Sequence, residues 1–427
     1  GRLYSQLVDL LAFYLGFEIN DHTGAPLTDE DIASAHCNRI LTLQRLCFKH
    51  IEKLRELALS HCAAIEKRDV LTEHLSALDE DELRHLATRQ LRLVDPEDPW
   101  AKDPAFLLET TVSSFEKRRS QRQAINEMPL YPNEDVLWDE NVVPSVTYTG
   151  DGCLALPKLN LQFLTLQDYL LRNFNLFRLE ATYEIREDVA DALRRLGPRR
   201  DPETGEVRLS GWARMALPIA PGRLAVTEVR KPNVGETKPA GVTCEVRVNL
   251  SSVRGNARAE WDQIKQHDVL YLLAAEGPAA GAPPGEDATP AERHGLKYAR
   301  GAEVIEVRDG EGRLYNDFTG RVKPEDAGPP RGEERVFVLA LDAAQYQLDA
   351  NRMAESDGED VYAGMNILLR RKPKENNFKA ILECIRDLTN ADVVVPEWLH
   401  DIFLGYGDPA AAQPANMPNQ LRTVDFK

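Results

Sequence analysis

No apolar run in the chain approaches the ~18–20 residues that a membrane span needs, so no membrane partner is expected. An initiating Met is also missing. The first residues, GRLYSQLVDLLAFYLGFEI, are too acidic and too amphipathic for a signal peptide, and the chain reads as an internal piece of a longer polypeptide. There is no CxxC pair. The six cysteines, Cys37, Cys47, Cys62, Cys153, Cys244 and Cys384, lie far apart and read as reduced thiols of an intracellular protein. The dipeptide Gly-Lys does not occur. A phosphate-binding loop needs that Lys to reach the phosphates and a following Ser or Thr for Mg²⁺. The Gly-rich stretch GPAAGAPPG at 277–285 follows an apolar strand pattern but has neither, so it reads as a flexible insertion running to about Pro290. Positive charge is in deficit as well. With 52 Lys and Arg against 69 Asp and Glu, the net charge is −17, which argues against nucleic-acid binding over the whole surface.

What is present supports a folded protein. Hydrophobic residues make up 43% and charged residues 28%, enough apolar side chains for a core. At ~150 residues per domain, 427 residues suggest roughly three units.

Residues 3–128 read as helical. Leu3, Leu7, Leu10, Leu11, Tyr14 and Leu15 recur at helical spacing, and Ile40, Leu43, Leu46, Cys47, Leu54 and Leu57 form one stripe over 39–59. Thr28 and Asp31 have the spacing of a capping box. DEDE at 79–82 is better placed to charge the start of a helix than to hold a metal, because no apolar strand precedes it. Pro104 opens what reads as one long helix to about Glu127. Helices joined by short polar loops suggest a solenoid or a bundle, although no internal repeat is visible. Residues 129–163 are rich in Pro, Asn, Asp and Gly and read as a connector. A helix of roughly 30 residues follows, with Thr165 and Asp168 as its capping box and Gly197-Pro198 as its stop.

From 207 to 342 the period changes to two. VTCEVRVNL puts Val242, Cys244, Val246, Val248 and Leu250 on one face of a strand. RLAVTEV, DVLYLLAA, AEVIEV and RVFVLALD read as further strands. About six short antiparallel strands over ~130 residues predict a small closed or half-closed barrel. Helices return at about 376–389, with Asn376 as N-cap, and at 396–404, with Pro396 early in it.

Few side chains point to chemistry. His36, Cys37, Cys47, His50, His61 and Cys62 match no usual zinc-ligand spacing and fall on amphipathic helices, so no metal site is predicted. With nine histidines scattered over the chain, no catalytic triple stands above chance. Two basic runs remain. EKRRSQR at 116–122 is expected on the exposed side of a helix, solvated or in contact with a protein. RRKPKENNFK at 370–379 joins a strand to a helix and gathers Arg370, Arg371, Lys372, Lys374 and Lys379. Pro373 disfavours helix at Lys372, so the run should stay extended. Such runs are usually solvated, and Glu375, Glu383 or an acidic partner could neutralise this one.

Several long strings carry a resemblance to a known family. They are MPLYPNEDVLWDENVVP at 128–144, CLALPKLNLQFLTLQDYLLRNFNLFRLEATYEIREDV at 153–189, GWARMA, RRKPKENNFKAILECIRDL, and VPEWLHDIFLGYGDP at 395–409. They resemble the Aquarius family of spliceosomal intron-binding proteins, superfamily 1 RNA helicases, over most of the chain. The match is weakest at 197–210 and 275–330.

The resemblance implies an armadillo-like helical domain, a stalk, a β-barrel and two RecA-like motor domains. The fold class expected here is therefore multidomain α and β, with the end of an α-solenoid, a helical stalk and an inserted antiparallel β-barrel. The implied boundaries are 1–150 for the helical domain and 151–206 for the first stalk arm. The barrel would occupy 207–350, and 351–427 the return arm with a linker toward the motor. It further implies pre-mRNA splicing in the nucleus, with intron RNA and other spliceosomal proteins as partners. ATP and Mg²⁺ belong to the motor domains, so no cofactor and no catalytic residue is expected in this segment. Arg370, Arg371, Lys372, Lys374 and Lys379 would then face RNA phosphates from the barrel–stalk junction. The alternative is a protein-docking scaffold whose residues touch no RNA.

Overall fold

The computed structural model describes residues 4, 7, 8, 11, 27–118, 120–139, 143, 166–201, 205–234, 236–278, 288–316, 328–356, 360–371, 378–391, 399 and 404. Most of the expected helix 396–404, the cap at Asn376 and most of the 3–15 stripe lie outside them. The chain forms two compact units, residues 1–124 and 125–427.

The first unit is helical among the described residues. Helix α1 (Asp29–His50) starts at the expected capping box: the Thr28 side chain accepts from the Asp31 amide, and Asp31 answers to the Thr28 amide. It does not run on through residue 59. Ile51 is extended, and the chain resumes as α2 (Arg55–Leu59), α3 (Cys62–Ile65) and α4 (Arg68–Ser76). Helix α5 (Glu80–Arg84) begins at a second capping box, Asp79 with Glu82, and widens into a π-helical turn over His85–Gln90. The acidic run 79–82 is thus a helix start. Ile40, Leu43, Cys47, Leu54, Leu57, Leu71, Leu75 and Phe115 meet in one core.

Helix α6 (Pro104–Phe115) is capped by Asp103. It ends at Glu116, whose ψ of 148° is extended, and does not continue to Glu127. The reason is tertiary: the Lys117 amide donates to the Glu66 carbonyl at 2.9 Å and so leaves the helical ladder. A separate helix, α7 (Gln121–Glu127), follows. The basic run 116–122 therefore straddles a break. These helices share no common length, and no stack of equal helix pairs is evident in them.

The second unit is built on a sheet and a 31-residue helix. A short helix, α8 (Glu134–Leu137), lies in the connector. Helix α9 (Leu166–Leu196) buries Leu170, Phe174, Ala181, Ile185, Val189, Leu193 and Leu196 at spacings of three, four or seven, so one apolar stripe runs its length. Thr165, the expected cap partner, lies outside the described residues; the Asp168 carboxylate accepts from Arg172 at 2.8 Å. Gly197 ends α9 in the left-handed region at φ 53°, its amide on the Leu193 carbonyl.

Strands β1 (Pro198–Arg200) and β2 (Val207–Leu209) pair as a separate ribbon. The main sheet has seven antiparallel strands. They are β3 (Ala216–Pro218), β4 (Leu224–Arg230), β5 (Gly241–Asn249), β6 (Val269–Ala275), β7 (Leu296–Asp309), β8 (Glu334–Leu341) and β9 (Ile367–Arg370), in the order β3-β9-β6-β7-β8-β5-β4. β9 enters between β3 and β6, so the sheet extends beyond the expected barrel limit at residue 350.

The edge strands β3 and β4 are not hydrogen-bonded to each other among the described residues, so the barrel is not closed. The sheet nevertheless curls. Six residue steps join Pro218 to Leu224 and reach at most ~22 Å, whereas the edges of a flat seven-stranded sheet would be ~29 Å apart.

β5 alternates as its sequence predicts, with Val242, Cys244, Val246 and Val248 buried. They meet Phe337, Leu339 and Leu341 of β8 and Leu270 and Leu272 of β6 in the sheet's core. Helix α10 (Gly255–Asp262) adds Trp261 to this core, its ring 6.5 Å from that of Phe337. β6 is buried along its whole length, which fits its continuous apolar run. Tyr271 of β6 packs edge-on against Tyr131, and Tyr131 against Phe378. Two more helices intervene, α11 (Pro290–His294) and α12 (Ala343–Ser356); α13 is Phe378–Asn390 and packs against α9.

Val246 is fully buried and Arg247 is exposed. Val246→Asp places a charge in the sheet's core and is expected to cost more than ~4 kcal/mol, whereas Arg247→Asp should cost under ~1 kcal/mol. Urea unfolding of the two variants checks this; equal losses would mean that the two faces of β5 are misassigned.

Candidate functional site

The basic run starts where β9 ends. Ile367, Leu368, Leu369 and Arg370 are all buried, and the Arg370 amide donates to the Met215 carbonyl at 2.8 Å. The end of the strand is therefore fixed, and the arginine side chains leave it in set directions.

Arg370 is 5% exposed. Its guanidinium lies over the Trp261 ring, 5.6 Å from the centroid, and pairs with Glu260 of α10. Glu260 also accepts from Arg214 at 3.0 Å, and hydrogen bonding to Arg214 and the nearby Arg370 charge hold its carboxyl below the ordinary range. Arg371 is 3% exposed. It reaches two carboxylates one turn apart on α9: Nε donates to Asp188 at 3.0 Å and an Nη to Glu184 at 3.3 Å. Its guanidinium lies 5.8 Å from the Phe378 ring centroid.

Lys379, in the first turn of α13, pairs with Glu303 of β7 and lies 3.4 Å from Glu383. Glu303 also takes a 2.6 Å contact from His267. Burial pushes the Glu303 carboxyl up, but hydrogen bonds from Lys379 and His267 outweigh it, and the net shift is downward.

The junction thus brings together three of the five cations singled out from the sequence, and each faces carboxylates. Lys372, Pro373, Lys374, Glu375 and Asn376 lie outside the described residues. Glu383 acts as anticipated; Glu184, Asp188, Glu260 and Glu303 went unnoticed. One signal was available: Glu184 and Asp188 sit four apart, so both can meet one cation beside the helix. On α13, Phe378 and Leu382 are buried, Ile385 is half-buried and Ile381 is exposed.

An open cleft of about 550 Å³ adjoins the junction. Its charged lining is mixed: Arg214, Arg370 and Arg371 alternate with Glu260 and Asp268. Among the described residues the cleft has no continuous cationic wall; it offers paired, oriented charges.

Burying a guanidinium without its counter-charge is costly, about 3–5 kcal/mol when one partner of a buried pair is removed. Glu260→Ala should destabilise the chain by about that amount, and adding Arg370→Met should recover most of the loss. Chemical denaturation of the single and double variants measures both. Equal losses would show that the Arg370 charge is not what Glu260 answers.

Comparison with known proteins extends what the geometry offers. The family model described as the β-barrel of intron-binding protein aquarius matches residues 197–371, a span that holds β1 through β9. The model of that protein's N-terminal region matches residues 1–119, the helical unit up to the break after α6. RNA helicase aquarius of Mus musculus is 48% identical over 429 residues, which covers all of this chain and 28% of the mouse protein. The chain thus spans a little over a quarter of the length of the relative it matches. Two successive models of one family lie on more than half of the residues, and the identity runs from end to end, so the chain belongs to the Aquarius family of intron-binding proteins.

Proposed function

We propose that this chain is an accessory region of a spliceosomal RNA helicase that binds introns during pre-mRNA splicing. The supporting observation is the 48% identity along the whole chain to a protein named as an RNA helicase. In this reading the helical unit is the end of an armadillo-like domain. Helices α9 and α13 form the stalk, and the curled sheet is the barrel inserted between its arms. The partners are intron RNA and other spliceosomal proteins, and the location is the nucleus. ATP and Mg²⁺ are assigned to motor domains of the whole protein and none to this chain, which has no Gly-Lys dipeptide for a phosphate loop. The purified chain should therefore show no RNA-stimulated ATP hydrolysis above a protein-free control; measurable turnover would overturn the assignment.

RNA contact is proposed at the run 370–379. Arg370, Arg371 and Lys379 face carboxylates, so they are assigned the task of fixing the junction, and the phosphate contacts go to Lys372 and Lys374. A second reading, a protein-docking scaffold with no RNA contact in these residues, gains support from the mixed charge of the adjoining cleft. Salt titration of single-stranded RNA binding separates the two. Lys372→Glu with Lys374→Glu should weaken binding and reduce the slope of log affinity against log salt by about 0.7 per lost contact. An unchanged affinity and slope would favour the scaffold.

A further inference from the structure

The helical unit gathers three metal-type donors that no local motif announces. His36 lies on α1, Cys62 opens α3, and Glu66 follows its last residue. Their donor atoms all lie within 4.8 Å of one another. His36 is 5% exposed, and its Nε2 is a buried nitrogen without a hydrogen-bond partner. That nitrogen stands 3.7 Å from a Glu66 carboxylate oxygen, too far for a hydrogen bond. The separation is close to the ~3.4 Å edge of a tetrahedron with ~2.0–2.1 Å metal bonds.

We propose that His36, Cys62 and Glu66 bind a divalent cation of the zinc type. A nitrogen, a thiol sulfur and one carboxylate oxygen form a borderline-soft set, which selects Zn²⁺ over Mg²⁺ or Ca²⁺.

The surroundings support the assignment. Burial, with help from the Arg39 charge, holds the His36 imidazole below its ordinary range. A coordinating cation displaces the proton of a cysteine thiol. Glu66 divides its oxygens: one accepts from Lys117 at 3.1 Å, and the other faces His36. Lys117 thus orients the carboxylate from outside, as outer partners of metal ligands do. The cation would tie α1 to the short α3 and to the residue that breaks α6, since the Lys117 amide is held by the Glu66 carbonyl.

Cobalt substitution tests this on the full 427-residue chain in a buffer holding a phosphine reductant. One equivalent of Co²⁺ should give a thiolate-to-cobalt charge-transfer band and the intense visible bands of a tetrahedral site, and Zn²⁺ should abolish both. Cys62→Ser and His36→Gln should each weaken binding by about tenfold or more; Cys384→Ser, which alters an exposed thiol, should not. Circular dichroism without metal shows whether each variant folds, and Glu66→Gln replaces any that does not. A missing charge-transfer band in the unaltered chain, or a band that survives in every ligand variant, would overturn the site.

Discussion

A guanidinium does not lose its proton in a protein interior, so a buried arginine must be given its counter-charge by the fold. This constraint organises the second unit. Arg300, Arg335, Arg370 and Arg371 are each 5% exposed or less, and all four leave the main sheet or its end. Their carboxylates come from helices. Arg300 meets Asp349 of α12 at 2.7 Å and pairs with Glu134 of α8. Arg335 meets Asp262 of α10 at 2.9 Å, and Arg370 pairs with Glu260 two residues earlier. Arg371 meets Asp188 and Glu184 of α9. Apolar packing alone is non-directional and would let a helix slide over the sheet. A buried charge pair does not allow this, because displacement strands both charges. The four arginines therefore set where four helices dock, while the apolar core supplies the driving force.

The Arg300 cluster shows how completely such a site must be satisfied. Asp349 accepts from Arg300, from the Tyr362 hydroxyl at 3.1 Å and from Gln345 at 3.0 Å. Glu134 accepts from the Ala299 amide at 2.9 Å as well as from Arg300. This is how the connector helix α8 is held against β7. Beside it, Gly301 leaves room for the Tyr131 ring, since a Cβ there would lie 2.4 Å from ring carbons. The irregular segment from 129 to 139 is thus fixed by a few specific contacts in place of a ladder.

Local features were legible in the sequence. The capping boxes at Thr28 and Asp79, the alternation of β5, the unbroken apolar run of β6 and the stop at Gly197 each depend on residues within a few positions. What the sequence hid depends on distant partners. Helix α6 breaks because Lys117 finds a carbonyl 51 positions earlier, which no propensity records. β9 joins the sheet beside β6, almost a hundred residues upstream in sequence, so a strand before the basic run was legible but its place in the sheet was not. At the candidate site the cations were visible as a run, but their acids were not. The Arg370 partner lies 110 residues away and the Arg371 partners 183 and 187.

The same pairing changes what the net charge of −17 means. Carboxylates that hold buried arginines face inward and contribute little field at a partner's surface, while the remaining acids repel phosphate over a screened range of ~8–10 Å. An acidic protein of this kind can hold a polyanion only where cations outnumber the acids within that distance. At the end of β9 four cations meet five acids: Arg214 and Arg370 with Glu260, Arg371 with Asp188 and Glu184, and Lys379 with Glu303 and Glu383. The junction residues are neutralised in place, so the sign of the local field there depends on the next cations along the chain, Lys372 and Lys374. The structural role of the first two arginines and a recognition role for the lysines after them are therefore compatible. The arginines need fixed partners to be buried at all. A phosphate contact needs only charge at a fixed position, and the strand end that precedes the lysines is itself anchored by two buried arginines.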